Sequence, residues 1–143
     1  MPASRLLERN RLIFCHFDSY STALRFARIN DSVMLPGPLP ENASMDAAPT
    51  TDIGDTPTDV LHAVLEKLNI NSSQIELDDS FEAWLSTNTG PIRIHVARFT
   101  TLEAPYEAIA SNGGDFKSIS ELRRLPMTEL TLLRQVFDLV MGG

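Results

Sequence analysis

A chain of 143 residues, 43% apolar and 22% charged, has the composition of a globular protein and is long enough for one hydrophobic core. Its net charge of −7 argues against a nucleic-acid partner, since phosphate contacts dominate that affinity, and no apolar run approaches the roughly 20 residues of a membrane-spanning helix. A single cysteine, Cys15, leaves no internal disulfide and suits a reducing compartment, so a cytoplasmic location is expected.

Charge is unevenly spread. Residues 1–30 carry five arginines against Glu8 and Asp18, and residues 31–90 carry eleven acids against Lys67 alone. Within the first stretch RLIFCHF (11–17) reads as a strand and STALRFARI (21–29) as a short helix. Pro36, Pro38, Pro40, Pro49 and Pro57 then remove backbone donors, and residues 36–56 read as a linker or disordered acidic segment. Residues 1–55 are therefore expected to be a loosely attached extension. Residues 56–143 are the expected compact domain, with 45–143 able to fold alone.

Regular patterning begins at Thr56, a good N-cap followed by Pro57 and by Asp59 in the first turn. Val60, Leu61, Val64, Leu65 and Leu68 make one apolar stripe, and Asn69 is a plausible stop. FEAWLSTNTGPIRIHVARF (81–99) reads as a β-hairpin turning at Thr-Asn-Thr-Gly. A short helix over 102–111, a strand in DFKSIS and a last helix over 127–141 complete the order. The last helix places Leu130, Leu133, Val136, Phe137 and Val140 on one face. The predicted fold class is α+β: a small mixed sheet, the hairpin plus a third strand, packed on one face against two or three helices.

No nucleotide loop, nucleophile elbow or metal-ligand spacing is present, and neither catalytic residues, metal nor cofactor are expected. The acids Glu76, Asp78, Asp79 and Glu82 lack the glycine and spacing of a calcium loop and read as a solvated turn. GPIRIHVARFT (90–100) holds the candidate binding residues. Ile92, Ile94 and Val96 should face the core, while Arg93 and His95 share the opposite face with Ala97 and Phe99. Arg93 and His95 lie roughly 7 Å apart there, close enough to grip one anion. Arg98 follows the core parity, so either the strand bulges near Ala97 or a partner holds the charge. Thr100 and Thr101 would lead into a helix start whose amides favour anions. The opposing reading makes this face a solvated surface. Trp84, on the more polar face of its strand, reads as ordinary packing, with contact to the N-terminal segment or a partner as the alternative.

The expected function is a non-catalytic accessory or protein-interaction module with a protein partner or a second copy of itself, and no nucleic acid or membrane. The alternative is a small anionic-ligand-binding protein, or an enzyme, using Arg93, His95 and Arg98.

Overall fold

The computed structural model of the protein describes residues 3–50 and 54–142. A short helix α1 (Ala3–Glu8) leads into strands β1 (Asn10–Asp18) and β2 (Ala23–Ile29), and a three-residue strand β3 (Ser44–Asp46) follows. Helix α2 (Pro57–Leu68) precedes β4 (Ile75–Leu77), β5 (Ala83–Thr87) and β6 (Gly90–Phe99). Helix α3 (Tyr106–Ala110), β7 (Gly114–Lys117), a 3-10 turn over Ile119–Leu122 and helix α4 (Met127–Met141) complete the chain.

The seven strands form one mixed sheet in the order β3-β5-β6-β1-β2-β7, with β4 also pairing with β6. β1 and β6 run parallel at its centre, and the other pairs are antiparallel. The architecture remains α+β, but the sheet is far larger than the predicted hairpin plus third strand. Three of the added strands, β1, β2 and β3, come from the N-terminal segment, and the fourth, β4, lies between α2 and the hairpin. Residues 23–29, expected to be helical, form β2 because β1 and β7 flank them and satisfy both backbone edges. That tertiary pairing overrides the helix preference of Ala, Leu and Arg. A compact unit confined to 56–143 would leave out the middle of this sheet.

Local signals held where they were strongest. Thr56 occupies the N-cap of α2, although its hydroxyl makes no capping bond, and Asn69 ends the helix in the left-handed conformation at φ 55°. β5 and β6 pair as a hairpin from Thr87↔Gly90, where Gly90 takes φ 123°. Gly114 is needed in β7, since a Cβ there would fall 2.2 Å from the Arg28 carbonyl oxygen of β2.

Helices cover both faces of the sheet, not one. Val60, Val64 and Leu65 of α2 pack with Leu12, Phe14, Ala97 and Phe99 on one side. Leu132, Leu133 and Val136 of α4 pack with Ile13, Phe26, Ile92, Ile94 and Val96 on the other. β6 is thus enclosed from both directions, and that decides the fate of its polar residues. Among the described residues no helix is long and apolar enough to cross a membrane.

Candidate functional site

The face of β6 expected to be wet lies under α2. His95 is 4% exposed, and Ala97 and Phe99 on the same parity are buried too. A buried imidazole needs partners, and Asn10 at the start of β1 supplies one at 2.8 Å from His95 Nε2. The Asn10 amide nitrogen donates to the Leu6 carbonyl and to Asp55 Oδ2, both at 2.9 Å. Its oxygen is therefore left to accept, so Nε2 of His95 carries the hydrogen. Asp55 also accepts from Arg9 Nε and Nη2 at 3.1 and 2.8 Å, which holds its carboxyl below the ordinary range. Burial, reinforced by Arg93, lowers His95 to about 4 despite the opposing pull of Asp55. His95 is a neutral group at neutral pH.

Arg93 does not join His95 around an anion. Its guanidinium stands over the Trp84 ring, 5.6 Å from the centroid, and 3.7 Å from Glu82 Oε2. Trp84 Nε1 donates to that same oxygen at 3.3 Å. Trp84 and Arg93 are direct cross-strand partners, so the indole is covered by its own hairpin. Arg93 and His95 do line one cavity, of about 50 Å³, but Asp78 and Asp79 line it with them. Its size suits a water or two, and its carboxylates oppose an anion.

Arg98 occupies the core parity without any bulge: the ladders run regularly through Glu76↔Arg98 and Cys15↔Arg98. The charge is tolerated because Arg98 Nη2 reaches Asp78 Oδ2 at 2.6 Å and the side chain stays 38% exposed. Burial pushes the Asp78 carboxyl up, but hydrogen bonds from Ser80 and the charge of Arg98 outweigh it, leaving the group below its ordinary range. Thr100 and Thr101 build no anion nest. The Thr100 amide donates to the Gln74 carbonyl at 2.8 Å, and the Thr101 carbonyl accepts from His16 Nε2 at 2.8 Å. The helix they were expected to open begins only at Tyr106. The five candidate residues thus form one strand and its exit, not one site.

Cys15 is equally committed to the interior, where burial pushes its thiol up to about 12. Among the described residues no group of three or more His, Cys, Asp or Glu side chains is placed to hold a metal ion.

The surface that sequence reasoning missed lies on α4. Its apolar residues are not all covered: Leu130, Leu133 and Val136 are buried, whereas Phe137, expected to be buried, is 37% exposed and Met127 67%. Between α4 and the Ile119–Leu122 turn runs a groove of about 490 Å³. Ile119, Leu130, Met127 and Phe137 give it apolar walls, and Arg123, Arg134 and Asp138 line its polar side. The sequence signal was the width of the apolar stripe, of which Phe137 is the position left at the surface. No family model matches this chain, and no curated protein matches it in sequence.

Proposed function

We propose that this protein is a non-catalytic protein-interaction module whose contact surface is the groove between α4 and the Ile119–Leu122 turn. The observation that carries the reading is the exposure of Met127 and Phe137 beside the groove, on a helix whose Leu132, Leu133 and Val136 are fully buried. Large apolar side chains beside exposed arginines have the composition of interface centres, and methionine adapts to irregular partners. The competing anion-site reading loses support because Arg93, His95 and Arg98 each already have a partner within the fold. The lone buried thiol of Cys15 accords with a cytoplasmic setting.

The test is site-specific photo-crosslinking in the native host. A photoreactive phenylalanine replaces Met127 in one protein and His62, exposed on α2 across the sheet, in another. Discrete protein adducts at position 127 and none at 62 are the expected result. Adducts at neither position, or the same adducts at both, overturn the reading.

A further inference from the structure

Several guanidinium groups of this chain are committed within the fold, Arg11 among them through the Leu7 and Gly37 carbonyls. Arg9, Arg28, Arg93 and Arg98 each face a carboxylate of their own chain. Arg123, Arg124 and Arg134 are exposed and, among the described residues, have neither hydrogen bond nor ion pair. That is unexpected in a protein with nineteen acids and twelve basic residues, and these three cluster at one place. Arg123 and Arg134 line the α4 groove. Arg123 and Arg124 line a second opening of about 460 Å³ on the other side of the 3-10 turn. Ser120 and Arg123 line both, so the two openings adjoin and together make up a trough.

We infer that this trough takes an acidic amphipathic segment of a partner protein, its apolar side chains between Met127, Leu130 and Phe137 and its carboxylates on Arg123, Arg124 and Arg134. The inference rests on the interaction-module reading above and names the partner's chemistry. Three features select a peptide segment. The two openings, of about 490 and 460 Å³, together offer more room than one small anion fills, and the α4 one is walled by apolar side chains that a phosphate would not use. The arginines are interspersed with Glu121, Asp31 and Asp138, which would repel a uniformly anionic lipid surface. A segment carrying carboxylates at helical spacing can meet the arginines and avoid the acids. Planar guanidinium groups suit bidentate capture of carboxylates, and pairs on such a rim act chiefly on association rate and specificity.

The probe is a fluorescein-labelled peptide of about fifteen residues with leucines at i, i+3, i+4 and i+7 and glutamates between them. Binding to the full-length protein is followed by fluorescence anisotropy. Two control peptides replace every glutamate by glutamine or every leucine by serine. The expected result is binding that weakens about tenfold or more from low to about 0.3 M salt, and by a similar factor in Arg123→Glu/Arg134→Glu. Met127→Ser and Phe137→Ser, each shown folded by circular dichroism, should reduce it too. Equal binding of the glutamine peptide overturns the acidic partner while leaving the groove reading intact. So does binding of vesicles rich in phosphatidylserine, but not of peptide, through the same arginines. Failure of every peptide to bind overturns the inference, and the crosslinking result then decides the module reading separately. Sedimentation showing a dimer that Arg123→Glu/Arg134→Glu dissociates would assign the trough to a second copy and overturn it as well.

Discussion

His95 Nε2 donates to Asn10 Oδ1 across 2.8 Å, joining the strand that looked most functional to a residue 85 positions upstream. Both residues are buried, at 4% and 1% exposure. Asn10 is the hub, because the same side chain also satisfies Leu6 and Asp55. Replacing it with leucine keeps the volume but strands the His95 N–H and removes one bond to the half-buried Asp55 carboxylate. The expected loss is about 1–3 kcal/mol in urea unfolding, the cost of an unsatisfied buried polar group. A loss below about 0.5 kcal/mol would show that the network adds nothing to the fold.

The same pair makes stability depend on pH. The folded pKa of His95, about 4, lies below its ordinary 6.5, so between those values the unfolded chain binds the proton that the folded chain refuses. Stability therefore falls as pH drops through 6.5 and stops falling on this group's behalf near 4. The full effect is about 3 kcal/mol, at one pKa unit per about 1.4 kcal/mol. Asp55 and Asp78, both depressed, add their own losses only below the ordinary carboxylate range. His95→Gln can still donate to Asn10 but does not titrate. Its stability measured from pH 7 to 4.5 should be flatter than that of the wild type, and parallel curves would contradict this assignment.

What the sequence showed followed from how local each cause is. α2 declares itself through Pro57, Asp59 and a single stripe, and the hairpin through Asn88 and Gly90. Each is decided within a few residues. β2 was illegible because Leu24 and Phe26 face one core while Ala27 and Ile29 face the other, so no simple alternation appears. His95 was misjudged for the same reason. Its burial depends on α2 covering a second face, and the one local hint was the company of Ala97 and Phe99 on its parity. Phe137 shows the converse, an apolar position of the stripe that lines the open groove beside the Ile119–Leu122 turn and is 37% exposed.

The central place of β1 gives a direct test of the N-terminal segment. Leu12, Ile13, Phe14, Leu24 and Phe26 are all essentially buried, and β1 separates β6 from β2. Removing residues 1–44 exposes both faces and one edge of the sheet's centre, a loss far beyond the about 5–15 kcal/mol that holds a domain together. Residues 45–143 expressed alone should show no cooperative thermal transition and poor amide dispersion. A cooperative transition in that fragment would mean the C-terminal half carries its own core.

Arg98 and Asp78 provide the last test. Asp78 is only 9% exposed on its side chain, while Arg98 is 38% exposed, so water partly screens the pair. Arg98→Met keeps the aliphatic stem and drops the charge, leaving a largely buried carboxylate supported by Ser80 alone. Full enclosure would make that cost severe, but the exposed guanidinium reduces it to about 1–2 kcal/mol. Because Asp78 already pairs with Arg98 Nη2, added phosphate or sulfate should shift the melting temperature of wild type and variant equally. A phosphate-dependent rise confined to the wild type would mean that the arginine leaves Asp78 for an anion, and would restore this end of the strand as a binding site.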